Sequence, residues 1–447
     1  MRSLINFVKN HRKWLNTELI FYVAIFFLPF ENFFFAPSSG WAAITPVILM
    51  LYTILNYKAV LKALLKLRKI IFFFIFAITL ASVTAFLNNV ALQDYVNSFV
   101  PLFLGAASLL SFYVFYDKKK DLSVVVNLVV IAYALCLMIG VFEYLTLAQG
   151  NLAFKNWLGH LMKRNYLTEG TGRVQFFFTE PSFIGMHLFG ILLPLYWLSR
   201  RKDLLFILVL FIIAAAGFGS GVRVFVDIAV VAIMYFTYLL IINKRAKFIP
   251  LILIILGLGF GYAYTSNVRI QKIVADGIYA DGSLAARYFR IQSSVIGYTK
   301  APAQTLVGFG LGNAIKPLHL GYDEAKAAYK SDYMREVDAL DNEHTDFHDD
   351  SVAYSLYIRF ISEYGLIMMI VAIVYLFKIT KDSRLPQKYL YLAVILYIYI
   401  QFESLGFYAL WFFILAMLFT NRKEISEKSL AERIADNVFK KKVKHGK

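Results

Sequence analysis

The sequence predicts an all-α, polytopic membrane protein with about twelve transmembrane helices, in a single integral membrane domain covering residues 1–447. Hydrophobic residues make up 59% of the chain and aromatic residues 17%. Long runs such as 71–86 and 251–265 contain no charged residue. Runs of roughly 17–25 apolar residues match the ~30 Å hydrocarbon layer of a bilayer. Backbone groups in lipid need partners within the segment, so we expect these runs to be helices.

Twelve apolar runs between charged or polar breaks are the candidate spans. The last two runs are separated only by the region of Glu403, so they could form a hairpin. The runs cover about 19–35, 40–57, 70–87, 98–116, 122–147, 183–199, 203–219, 224–242, 248–265, 351–377, 388–402 and 404–420.

Lysine and arginine occur in alternate breaks. The basic breaks hold 31 of the chain's 46 lysines and arginines, whereas 31–40 and 88–97 hold none. Threading twelve spans puts every basic break on one side, and the positive-inside rule makes that side cytoplasmic. We therefore expect both termini in the cytoplasm. The formal charge of +17 then reflects topology, so nucleic acid is not an expected partner. The basic breaks are the N-terminal segment, 58–69, 117–121, 199–203, 243–247, 378–388 and the tail from 421.

The same threading places two long segments, 148–182 and 266–350, on the outer face. The second is too long for a simple connection, so we expect a large, partly helical outer loop. It contains a helix-like stretch at 284–300 and a glycine-rich turn at 307–314. The basic cytoplasmic tail, 421–447, is suited to contact with anionic lipid headgroups. The single cysteine, Cys136, is expected to be a small core residue.

Five arginines, at positions 173, 223, 287, 290 and 359, lie outside or within the predicted membrane layer. Arginine is a permanently charged fork that suits phosphate oxygens. Arg287 and Arg290 are three residues apart, so on a helix they share a face. Together these arginines are candidate ligands of a diphosphate. The alternative is that they are loop charges at the headgroup level, bonded to lipid or to acidic residues.

Two ionisable residues are predicted inside spans. Arg359 lies about eight residues into its span, and Glu363 is one helical turn further on. Ionisable groups at this depth face a cavity or a partner, and the sequence leaves both options open for Arg359. His187 lies about two turns into its span and is either a bonded core histidine or a catalytic group.

A helix is expected to begin near Pro181, with Thr179 as its cap. That expectation does not account for Arg173 and Glu180, which flank an aromatic run at the membrane surface.

The acidic stretch 341–351 carries His344 and His348, which could share a helical face and bind a metal ion. A histidine of this stretch, or Asp346, Asp349 or Asp350, could instead be a general base. A solvated acidic loop is the third interpretation.

These residues follow an order that resembles the O-antigen polymerase and O-antigen ligase superfamily of membrane glycosyltransferases. Arg173 is followed by 180-EPSFIG-185, and a basic small-residue turn follows at 219-GSGVR-223. The outer loop opens with Ser-x-x-x-Arg from Ser283 to Arg287, and continues with 306-LVGFGLG-312. It closes with a helix that ends in Glu-x-Gly-Leu at Leu366.

The resemblance implies a GT-C-like transferase in the bacterial inner membrane. It implies undecaprenyl-diphosphate-linked glycans as donor and acceptor, a chain-length regulator as a further partner, and no metal or cofactor. Candidate catalytic residues are Arg287, Arg290, His348, Asp350 and Glu180. Candidate diphosphate ligands are Arg173, Arg223, Arg287, Arg290 and Arg359. Ligases commonly have a histidine about eleven residues before the final glycine, where this chain has Tyr354.

That departure favours a repeat-unit polymerase, which joins oligosaccharide units into O-antigen or capsular polysaccharide at the outer face. The first alternative is a ligase that moves the finished glycan to lipid A core or protein. The second is a flippase for the lipid-linked unit. Transporters usually show internal repeats and charges at the bilayer midplane, and this chain shows no visible repeat.

Overall fold

The fold is described from a computed structural model of the chain. It describes residues 17–32, 43–119, 122–150, 152–162, 173–218, 222–243, 249–266, 268–328 and 355–421. The acidic stretch 341–351 and the basic tail from 422 therefore lie outside the described residues.

Helices form the described part of the chain, and no strand occurs there, which confirms the all-α prediction. The helix that begins at Pro181 contains short 3-10, α and π turns in succession. The helices are α1 Thr17–Phe26, α2 Ile44–Leu55, α3 Tyr57–Lys66, α4 Arg68–Leu87, α5 Leu92–Lys119, α6 Ser123–Gln149, α7 Leu152–Leu161, α8 Pro181–Ser199, α9 Lys202–Gly217, α10 Val222–Asn243, α11 Ile249–Ser266, α12 Val268–Asp276, α13 Gly282–Lys300, α14 Pro302–Val307, α15 Lys316–Ala328, α16 Leu356–Tyr364, α17 Leu366–Asp382, α18 Lys388–Ile400 and α19 Tyr408–Asn421.

Fewer helices are long enough to cross a membrane than the twelve apolar runs suggested. Within the described residues, five helices are long and apolar enough, or six if α2 and α3, bent by 96°, count as one span. Each run contains a helix, but several are short: α1 has 10 residues, α18 has 13 and α19 has 14. At 1.5 Å per residue, a 13-residue helix spans only about 20 Å of a ~30 Å layer. Hydropathy marks apolar composition, not the length of the helix.

The basic breaks 58–69, 117–121 and 378–388 meet at one end of the bundle, as the charge pattern predicted. Lys66 pairs with Asp117 at 3.3 Å, which joins the break before α4 to the end of α5. The rings of Tyr116 and Phe419 contact each other at a tilt of 57°, with centroids 4.2 Å apart, so α19 also ends there. A hydrogen bond of 2.6 Å between Ser383 and Thr420 brings in the break after α17. We refer to this end as the basic end.

The last two predicted spans form a hairpin. α18 starts at the basic end and α19 returns to it, with the turn 401–407 between them. The hydroxyl of Tyr399 donates to the carbonyl of Phe407 at 3.0 Å and accepts from the amide of Leu410 at 3.3 Å. The turn therefore lies about 20 Å from the basic end, which is less than the ~30 Å thickness of a hydrocarbon layer. Backbone within such a layer would need protein partners, and the backbone of this turn has them.

The predicted span 351–377 is two helices, α16 and α17, which meet at Gly365. Gly365 has a φ of +88°, a conformation that glycine adopts without steric cost. The first turn of α16 contacts the hairpin, because Tyr357 donates to the carbonyl of Leu396 at 2.8 Å. α16 therefore begins beside the turn 401–407 and ends at Gly365, where α17 starts.

The segment 268–328 docks on the bundle through its glycine-rich turn. Phe309 and Leu311 are fully buried, and their amides donate to the carbonyls of Ser362 at 2.6 Å and Ala81 at 2.9 Å. Gly310 has a φ of +109°, and a Cβ there would lie 2.4 Å from the backbone of Ala85. The turn fixes the outer helices α13 and α15, which pack closely on each other through Gly297 and Gly321.

Candidate functional site

The candidate site is built around the turn 401–407. Arg223, at the start of α10, donates to the carbonyl of Gln401 at 3.1 Å. Asp227, one turn further along α10, accepts from the side chain of Gln401 at 3.2 Å and from the hydroxyl of Tyr397 at 2.6 Å. Asp227 is only 4% exposed. An arginine and a carboxylate of α10 are therefore fixed to this turn by hydrogen bonds.

The next two residues of the turn contact other parts of the site. The carbonyl of Phe402 accepts from the amide of Leu356 at 3.0 Å, and its ring packs edge-to-face on Phe183 at 5.5 Å. Glu403 accepts from Arg359 at 3.3 Å. Three consecutive residues thus join the starts of α10, α8 and α16, which are far apart in the sequence.

Arg287 of α13 lies within electrostatic range of Arg223 of α10. The two guanidinium groups are close enough to interact electrostatically, and Glu180 lies within range of Arg223 as well. Two like charges in a poorly solvated place repel each other, and an anion between them relieves that repulsion. The Nε atom of Arg223 is buried and has no hydrogen-bond partner within the described ranges. The structure therefore places Asp227, Arg287 and Glu180 within electrostatic range of Arg223, whose buried Nε is available to donate to an anionic group.

The position of Arg287 is set by the start of its helix. Asp281 caps α13 by accepting from the amide of Leu284 at 2.9 Å, and a bidentate pair joins it to Arg269. Burial alone would raise the pKa of Asp281, but the bonds from Arg269 and Leu284 and the charges of Arg269 and Arg287 hold that pKa below its usual value. These bonds join α12 to the start of α13, six residues before Arg287.

Arg290 and Arg173 have different positions. Arg290 follows Arg287 by one turn of α13 and is also half-buried. Arg173 is half-buried at the start of the segment that leads to α8. In the part of the chain that the structure describes, Arg173 makes none of the contacts that define the site.

Arg359 takes the pairing option that the sequence left open. It donates to Glu363 at 3.3 Å, to Glu403 at 3.3 Å and to the hydroxyl of Ser98 at 2.8 Å. Ser98 in turn donates to Glu363 at 2.7 Å. Two carboxylates against one guanidinium give the group a net negative charge. A diphosphate would be repelled there, so we leave Arg359 out of the proposed diphosphate ligands.

Glu180 is placed by a segment without regular structure, 173–180, that is held in the bundle by buried carboxylates. Glu143 of α6 accepts from the amides of Gln175 at 3.0 Å and Phe176 at 2.8 Å. The prediction that Thr179 caps α8 was wrong. Glu180 is the residue before the helix, Pro181 occupies the first turn as expected, and the Glu180 carboxylate accepts from Ser182 at 2.9 Å.

His187 is a bonded core histidine. Its Nε2 atom lies 2.5 Å from a carboxylate oxygen of Glu31, and its Nδ1 atom lies 2.8 Å from the hydroxyl of Tyr133. Both His187 and Glu31 are at most 1% exposed. The other carboxylate oxygen of Glu31 accepts from the amide of Thr179 at 3.5 Å. His187 therefore supports the segment before α8, and its ring lies 5.5 Å from the ring of Phe407 at the end of the turn 401–407.

His344, His348 and Asp350 lie outside the described residues, so the general base and the histidine metal site stay predictions. Across the described residues, no group of three or more histidine, cysteine, aspartate or glutamate side chains is suited to hold a metal ion.

Sequence reasoning missed several residues of the site, chiefly Asp227, Gln401, Glu403 and Ser98. Asp227 carried a usable signal, because an ionisable residue inside an apolar run usually has a partner or a function. The sequence identifies Glu403 only as part of the polar break between the last two apolar runs. Its pairing with Arg359 spans 44 positions, which no local pattern predicts.

No protein-family model, curated protein or solved structure matches the chain.

Proposed function

We propose that the protein is a glycosyltransferase that polymerises undecaprenyl-diphosphate-linked oligosaccharide repeat units at the outer face of the bacterial inner membrane. The observation that carries the proposal is the buried Nε of Arg223, which has no hydrogen-bond partner among the described residues and lies within electrostatic range of Arg287. One arginine belongs to the outer segment and the other to the membrane bundle. A diphosphate at the end of a membrane lipid would sit at that boundary.

In this proposal the growing glycan on its lipid diphosphate is the donor. A hydroxyl of the incoming lipid-linked unit attacks the anomeric carbon of the donor sugar, and the bond from that carbon to the phosphate oxygen breaks. The leaving diphosphate takes the electron pair. Arg223, Arg287 and Arg290 stabilise the negative charge that develops on it, an effect that is usually large at a preorganised site.

The topology and the GT-C-like architecture belong to the same proposal. The basic end would face the cytoplasm by the positive-inside rule. The turn 401–407, α13 and α15 would then lie towards the outer face. Both termini would be cytoplasmic.

We predict that single cysteines at Asn89 and Ala327 react with an impermeant thiol reagent in intact spheroplasts. A cysteine at Lys62 should react only after the membrane is permeabilised. All three native side chains are exposed, whereas Cys136 is buried and should remain unlabelled. Strong labelling of the Lys62 site in intact spheroplasts would reverse the proposed orientation.

The function is tested by deleting the gene and examining the surface glycan. We expect single repeat units attached to the lipopolysaccharide core and no longer chains. Complete absence of repeats from the core, with polymerised glycan still on the carrier lipid, would indicate a ligase. Absence of lipid-linked units from the outer face would indicate a flippase. Restoration of chain length by the plasmid-borne gene is the control.

A further inference from the structure

A narrow cleft lined by polar and apolar side chains lies beside the proposed diphosphate site. It is lined by Ser98 of α5, by Arg359 and Tyr364 of α16, and by Glu403 of the turn 401–407. The cleft and the arginine pair share this turn, because Gln401 contacts Arg223 and Glu403, two residues on, contacts Arg359.

Tyr364 indicates that the cleft receives a polar group. The residue is 2% exposed, and its hydroxyl has no hydrogen-bond partner among the residues that the structure describes. Buried hydroxyls are normally bonded, since an unmade bond costs free energy. The Tyr364 hydroxyl is therefore available to form a hydrogen bond with a polar group that enters the cleft.

Size and charge restrict what that group is. The space has room for about one water molecule or one hydroxyl group. Arg359 and the carboxylates of Glu363 and Glu403 line this space, so its net negative charge repels an anion. A neutral hydroxyl fits both conditions, because it donates to a carboxylate and accepts from Tyr364 or Arg359.

We propose that this cleft binds the attacking hydroxyl of the acceptor sugar and that Glu403 accepts its proton. The inference rests on the proposed polymerase function. In the step, the acceptor oxygen forms a bond to the donor's anomeric carbon as the bond from that carbon to the diphosphate oxygen breaks. The hydroxyl proton moves to the Glu403 carboxylate, and the diphosphate leaves with the electron pair. Arg359 holds Glu403 in place by the 3.3 Å contact.

The test uses the full-length protein in lipid nanodiscs. The substrate is the polyprenyl-diphosphate-linked repeat unit extracted from the deletion strain. Glu403→Gln should lower kcat by about a hundredfold or more, the usual contribution of a general base. Donor binding, measured separately by competition, should change less than about twofold, because the arginine pair is intact. Glu324→Gln is the control, since that carboxylate is 60% exposed and pairs with Lys300 on the surface.

Tyr364→Phe removes only the hydroxyl and keeps the shape of the side chain. It should raise the acceptor KM about tenfold, as expected for a lost hydrogen bond of ordinary strength. If the cleft holds no substrate, this variant keeps its wild-type KM, and that result overturns the inference. A wild-type kcat in Glu403→Gln also overturns it while leaving the polymerase function standing. Failure of the wild-type protein to extend the repeat unit overturns both.

Discussion

Replacing Arg287 by alanine is expected to abolish chain growth while the protein still inserts and accumulates. Arg287 belongs to the outer helix α13 and is half-buried, so its loss removes no part of a membrane span. A charge-assisted bond to diphosphate is worth roughly 1.5–3 kcal/mol, and more if phosphate charge is left unpaired. Such a loss in the transition state lowers the rate by about tenfold to a hundredfold or more.

The conservative variant and a control sharpen this prediction. Arg287→Lys should restore only part of the activity, because an ammonium group does not reproduce the bidentate fork. Lys300→Ala is the matched control, since Lys300 ends the same helix and pairs with the exposed Glu324 at 2.9 Å. Glycan length on gels is compared at equal protein amount. A wild-type length distribution in Arg287→Ala would remove the diphosphate site from the proposal.

Of the substitutions proposed for this protein, His187→Ala is expected to lower the free energy of unfolding the most. His187 and Glu31 form a pair that is at most 1% exposed. Removing one partner of a buried pair leaves the other polar group uncompensated, at a cost of roughly 3–5 kcal/mol. The free energy of unfolding should fall by that order, and the thermal midpoint of the solubilised protein should fall with it.

A double variant distinguishes the loss of the polar pair His187–Glu31 from the loss of packing volume. Glu31→Met with His187→Phe removes both polar groups, and rings surround His187, among them Phe178 at 4.6 Å and Phe407 at 5.5 Å. Its midpoint should therefore lie above that of His187→Ala. His160→Ala, at an exposed histidine of α7, is the control. Equal midpoints for His187→Ala and His160→Ala would show that the pair contributes no stability.

The sequence anticipated the residues of the diphosphate site better than those of the acceptor cleft. The sequence identified Arg223 and Arg287 as candidates, because a permanent charge beside an apolar run usually has a partner or a function. The sequence did not identify Glu403 and Ser98, because their role comes from their hydrogen bonds to Arg359. Ser98 and Arg359 are 261 positions apart, and the distance between such residues is set by packing alone.

Composition and charge order alone determined the helical membrane class, the position of each apolar helix, and the breaks that share one end. These properties are local, because a residue's preference for lipid and the spacing of lysine and arginine can be read along the chain. Tertiary structure decided where α18 stops, that the run 351–377 divides into two helices at Gly365, and which carboxylates pair with Arg359. Those outcomes depend on partners for buried backbone and buried charge, and the partners come from distant parts of the chain.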